Sequence, residues 1–359
     1  MVGLVGLWFG GAGFLNGDAA AYAAQGWAGD AGARPVHVLW CAVAVVLAPW
    51  AEGGLPRALD AVNALAAAGL VGASGARGFG LLVVAAFVLP WCAFAEVDLL
   101  WMALVMAAAQ VAPAWASACL AGLAVATSPT ALLALPWAAR RRWGWAPLLG
   151  GALVVFGLTI GSSGDWWVGH RGVLLGEWLP GRTVGAWAST GLWVVLPLAA
   201  MKGDRSVAWM APLLLAPPDV PAWILVGVVA ATHWPTASGW FRALALGAIG
   251  VGALALVQRW ERVGREDATI RAVAAAHRPG LGYEGPWSWG ARLSVVATGA
   301  TDRLPFRPLR PLHDGRWPSP NVDEVGLLPP GRAPAAERAL LRVDERGVHW
   351  VAPWWIPDG

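Results

Sequence analysis

Largely apolar runs recur from Met1–Leu15, which is uncharged, to Phe241–Val257, each stopped by a short polar or Gly/Pro-containing stretch. Runs of this kind are apolar on every side, so as helices they must be buried in protein or in lipid. The balance of the chain chooses between the two. With 359 residues, 57% of them hydrophobic and 13% charged, too few polar side chains remain to cover so many buried helices in water. The expected fold is an α-helical polytopic membrane protein, with about ten to eleven membrane helices in residues 1–258. From Gln258 the composition turns polar and Pro-rich, and residues 259–359 are expected to form a small C-terminal α+β domain.

Several function classes lose support at once. Trp occurs 26 times, and Trp50, Trp137, Trp143, Trp145, Trp166, Trp167 and Trp240 stand at the ends of apolar runs. That placement suits headgroup anchoring more than ligand binding. The formal charge of +3 is carried almost wholly by Arg, with Lys202 the one lysine, and no basic patch interleaved with aromatics suits nucleic acid. Cys41, Cys92 and Cys119 lie in apolar segments without metal or disulfide spacing. There is no Gly-rich phosphate loop, Cys-x-x-Cys or nucleophile elbow. Few ionisable residues interrupt the runs, His233 being the nearest exception, so a transporter or channel has no evident path.

Taken in order, Met1–Leu15 reads as a retained first helix ending at Asn16-Gly17-Asp18. Ala19–Gly29, carrying Tyr22, Gln25 and Trp27, suits the membrane surface. Arg34-Pro35-Val36-His37 opens the next run, to Trp50. Leu59–Ser74 and Phe79–Phe94 follow, then Ala95-Glu96-Val97-Asp98, then Leu99–Val111. Trp115–Trp137 is expected to break at Thr127-Ser128-Pro129, because proline removes a backbone donor. Arg140-Arg141-Arg142 is the densest cationic cluster between spans and is placed in the cytoplasm by the positive-inside tendency. Ala146–Ser162 returns to the outer face, where Ser163–Val184 carries Asp165, His170 and Arg171. Asp18 and Glu96 share that face if the run from Pro35 to Trp50 does not cross fully. Ala186–Met201, Trp209–His233 with its break at Pro217–Pro221, and Phe241–Val257 complete the set. One or two spans from the broken stretch put the tail in the cytoplasm or outside. In the tail, a helix is expected over Arg259–Ala275, a strand over Arg292–Thr298, and a hairpin of Leu340–Asp344 with Gly347–Val351. His277, His313 and His349 lack metal-ligand spacing.

Asp18 fits two roles: an N-cap for the helix starting at Ala19, or a reactive carboxylate at the mouth of the first helix. Glu96 and Asp98 fit a solvated turn or an oxygen-ligand pair. Arg171, beside His170, fits headgroup contact or a phosphate clamp. Arg34 is an alternative cation.

The order of these segments resembles the membrane glycosyltransferases of the C-type fold, nearest to bacterial relatives of the protein O-mannosyltransferases. Gly17-Asp18-Ala19-Ala20-Ala21-Tyr22 is similar to their Gly-Asp-Ser-Gly-Glu motif, and Arg34-Pro35-Val36-His37 stands where a His-Pro-Pro-Gly segment follows. Arg57-Ala58-Leu59-Asp60-Ala61-Val62-Asn63-Ala64-Leu65 resembles an Arg-Val-Asn-Leu-Leu helix start. Ala95-Glu96-Val97-Asp98-Leu99-Leu100 resembles Ala-Glu-Val-Tyr-Ala-Leu, and Ala121–Val125 running to Leu135-Pro136 resembles a Gly-Leu helix ending in Leu-Pro. The likeness covers about the first 140 residues, with a weaker echo at Asp219–Trp223. It implies a polyprenyl-phosphate-linked sugar donor, transfer on the outer face of the bacterial inner membrane, and contact with membrane lipids. Asp18 and Glu96 would be catalytic. Tyr22, Arg34, His37, Asp98, Asp165, His170 and Arg171 would line the substrate site, and a divalent cation, Mg or Mn, would be a cofactor. The chain departs from the pattern at Ala21 and Tyr22, where a second acid is usual, and at Asp98, where Tyr is common. It also lacks the family histidine around Thr127-Ser128-Pro129. An inactive scaffold or partner subunit of the same fold is the alternative reading.

Overall fold

The computed structural model describes residues 37–51, 55–94, 97–161, 205–215, 222–232, 339–344 and 347–351, with isolated positions between 238 and 257. The described residues before the hairpin are predominantly helical. In order they form α1 (Val38–Ala51), α2 (Leu55–Ser74), α3 (Phe79–Val88) with a 3-10 continuation over Leu89–Phe94, α4 (Asp98–Ala108) and α5 (Ala114–Thr127). A 3-10 turn over Pro129–Leu133, the short α6 (Leu135–Ala138), a π turn over Ala139–Trp143, and α7 (Ala146–Gly161) follow. A 3-10 stretch over Arg205–Leu215 and α8 (Trp223–Thr232) close the helical part. The expected hairpin is present: β1 (Ala339–Asp344) pairs antiparallel with β2 (Gly347–Val351), with an irregularity between Leu340 and Arg342.

Among the described residues no helix is long and apolar enough to cross a membrane. The described runs are helical as expected, but their helices are shorter or less apolar than a span, and the reason is local. Gly75 (φ 67°) and Gly78 (φ 54°) take backbone conformations open to glycine and separate α2 from α3. Pro90 leaves a 3-10 tail in place of a continued α-helix, and Pro113 holds the extended N-cap of α5. Gly144 (φ 55°) ends the π turn, its N–H reaching back to the Ala139 carbonyl at 2.8 Å. The longest helix, α2, has 20 residues but carries Arg57 and Asp60 in its first two turns.

Helix ends are satisfied by neighbours. Ser74 Oγ donates to the Val71 carbonyl at 2.6 Å and accepts from the Ala76 N–H at 3.1 Å, closing α2. Gln110 Nε2 donates to the Ala73 carbonyl, and Ser117 Oγ donates to the Ala108 carbonyl at 2.7 Å, so two orphan carbonyls at helix C-termini are covered from the turn after α4 and from α5.

The described residues of Ala31–Val43 and Arg57–Glu261 belong to one compact unit, and those of Ala44–Pro56 and Arg262–Gly359 to another. In the first unit α5 packs most extensively on α7 and next on α4, while α8 packs on α3. The α5–α7 approach depends on small residues. A Cβ on Gly150 would overlap the Ala118 carbonyl, and one on Gly122 would sit 3.0 Å from Val154 Cγ2. Backbones brought this close gain dispersion without needing water to drive them together. The composition change at Gln258 lies outside the described residues.

Candidate functional site

The polar focus of the described helices is the break after α5. Pro129 has no N–H and disfavours the α conformation at the residue before it, so Ser128 is extended (φ −153°, ψ 132°) and α5 stops at Thr127. The break frees carbonyls that a continuous helix would use. Ser128's carbonyl takes the Ala131 N–H at 3.0 Å, and Thr127's carbonyl accepts from His37 Nδ1 at 2.8 Å. A carbonyl can only accept, so His37 carries a proton on Nδ1. Thr127 Oγ1 donates to the Leu123 carbonyl at 2.8 Å. Thr127, Ser128 and Thr130 are all buried, a concentration of hydroxyls beside an otherwise apolar core.

A second polar feature lies at the start of α4. Asp98, 7% exposed, accepts from Trp101 Nε1 at 2.8 Å. Its position in the first turn also favours the helix electrostatically, since the N-terminal N–H groups carry partial positive charge. Asp98 thus anchors α4 and a fully buried indole.

On α2, Asp60 and Asn63 lie one turn apart, and Asp60 is within electrostatic reach of Cys92. Asn63 is 0% exposed, and neither its amide nitrogen nor its amide oxygen has a hydrogen-bond partner among the described residues. Such a group costs about 1–3 kcal/mol. The Arg57–Leu65 motif contained this residue, but its spacing carried no sign that the side chain would be buried and unmatched.

Of the residues expected to form the site, His37 and Asp98 are described: one is joined to the α5 break, the other to Trp101. Asp18, Tyr22, Arg34, Glu96, Asp165, His170 and Arg171 lie outside the described residues. Among the described residues no group of three or more His, Cys, Asp or Glu is placed to hold a metal ion. No family model, curated protein or solved structure matches the chain.

Proposed function

We propose that the chain is an integral membrane glycosyltransferase that moves a sugar from a polyprenyl-phosphate-linked donor to an acceptor on the outer face of a bacterial inner membrane. The observation that carries the reading is the His37–Thr127 hydrogen bond. It joins two of the segments on which the family resemblance rests, 90 residues apart in sequence. A shared site requires such segments to come together, and this bond is consistent with that requirement. Large apolar side chains exposed along α5 and α7, among them Trp115, Leu123, Leu153 and Phe156, support a lipid surround.

In the proposed reaction the acceptor's hydroxyl or amide attacks the anomeric carbon of the donor sugar. Asp18 takes the acceptor proton as general base, and the bond to the polyprenyl phosphate breaks with the electron pair leaving on the phosphate oxygen. A single displacement inverts the anomeric centre. Arg171, with Arg34 in reserve, offsets the charge on the departing phosphate. Asp98, whose Oδ1 accepts from Trp101, would hold a Mg or Mn ion only with further oxygen donors beside it. No step is therefore routed through a cation.

The test is sugar transfer in membranes from a radiolabelled polyprenyl-phosphate sugar. Asp18→Asn is expected to lower turnover by at least about 10²-fold, the scale of a general base, with the chain still inserted. Full activity in that variant ends the catalytic assignment. Ala21 and Tyr22, standing where a second acid is usual, favour the scaffold as second reading. No transfer by the unaltered chain, together with a stably co-purifying partner, would establish it.

A further inference from the structure

The π turn and α7 form a surface of unusual make-up. Arg140 and Arg141 are exposed in the turn, and the Arg141 guanidinium stands 5.9 Å from the ring centroid of Trp137. Trp137 is itself buried, so one cation is seated on the core and does not swing freely. Trp145 is exposed at the head of α7. Beyond it, Leu149, Leu153, Phe156 and Ile160 recur at spacings of three and four residues, which is one face of the helix, and the last three are 60%, 65% and 62% exposed. The stripe holds no group for water to bond. Thr159, the one polar side chain in α7, donates its hydroxyl to the Val155 carbonyl at 2.7 Å.

We propose that this face docks on the leaflet of an anionic phospholipid bilayer. Arg140 and Arg141 meet headgroup phosphates, Trp145 lies at the boundary, and the stripe from Leu149 to Ile160 lies among acyl chains. The inference rests on the membrane location in the proposed function and adds a lipid class and the residues that select it. The dimensions agree. From Trp145 to Ile160 the helix rises about 22 Å at ~1.5 Å per residue, which passes the middle of a hydrocarbon core roughly 30 Å thick without crossing it. Charge agrees as well. Guanidinium groups pair with phosphate oxygens in a fork geometry that ammonium groups lack, while an anionic leaflet attracts any cation at its surface.

The test uses the full chain in detergent, equilibrated with an equimolar mixture of phosphatidylglycerol and phosphatidylcholine and then repurified, with the retained lipids counted by mass spectrometry. Phosphatidylglycerol is expected to be retained in excess, by about fivefold per arginine. R140A, which leaves the Arg141–Trp137 stacking intact, is expected to lose about fivefold of that preference. R140A/R141A is expected to return retention to the input ratio, and R140K/R141K to keep most of the preference. Retention in the input ratio by the unaltered chain, or an undiminished preference in R140A/R141A, overturns the inference, as does a dimer in which this face cross-links to a second copy. Extraction of the chain from membranes by alkaline carbonate would instead remove the membrane location itself. A chain that resists extraction but shows no lipid preference leaves the proposed function standing and removes only the headgroup assignment.

Discussion

His37 and Asn63 show how a polar residue in an apolar helix bundle is judged by its partners. His37 Nδ1 covers a carbonyl that the α5 break would otherwise leave unpaired. His37→Phe keeps the ring size and removes that donor, so a loss of at least about 1 kcal/mol is expected, measured as a lower midpoint of thermal unfolding in detergent. Asn63 is the opposite case, with both amide atoms buried and unmatched among the described residues. Asn63→Leu keeps the volume and removes the unmet groups, so a gain of about 1–3 kcal/mol is expected and the midpoint rises. A fall would mean that the amide holds something when the protein is loaded. Sequence reasoning picked out His37 for substrate contact and passed over Asn63. A hydrogen bond reaching across 90 residues has no local signature, and neither does the lack of one.

The helices end where glycine and proline said they would, because their steric rules act within one or two residues. The separation of α2 from α3 at Gly75 and Gly78 and the interruption at Ser128-Pro129 were both legible. The closeness of α5 to α7 was not, since nothing in Gly150-Gly151 says which backbone will lie against it. The two glycines should respond differently. A methyl on Gly150 meets the Ala118 carbonyl, which cannot move without its helix, whereas one on Gly151 meets Leu135 Cδ1, the end of a side chain with other rotamers. Gly150→Ala is expected to cost about 1–3 kcal/mol by overpacking and Gly151→Ala less, compared by unfolding midpoints of the two variants. Equal losses would mean that the α5–α7 approach is looser than the geometry indicates.

At the scale of the molecule, apolar composition pointed to many buried helices, and helices dominate the described part. Their lengths follow the runs closely, because apolar composition sets burial while the punctuation between and inside the runs sets how far each helix extends. Backbone polar groups freed where a buried helix stops must find partners in protein or water. The His37, Ser117 and Gln110 bonds to freed carbonyls meet that condition at the α5 break and at the ends of α2 and α4. The exposed apolar stripe on α7 and the cations beside it extend the same logic to the outer surface.

Local chemistry therefore determined the class of secondary structure, the places where helices stop and the hairpin near the C-terminus, because each depends on side chains within a few residues of one another. The Asp98–Trp101 bond spans three residues of one helix and is local too, whereas tertiary structure alone decided that His37 serves the α5 break and that Asn63 is left unmatched among the described residues. Those outcomes depend on which distant backbone groups arrive alongside, and hydrogen-bond satisfaction in a low-dielectric core is settled only when the whole set has packed.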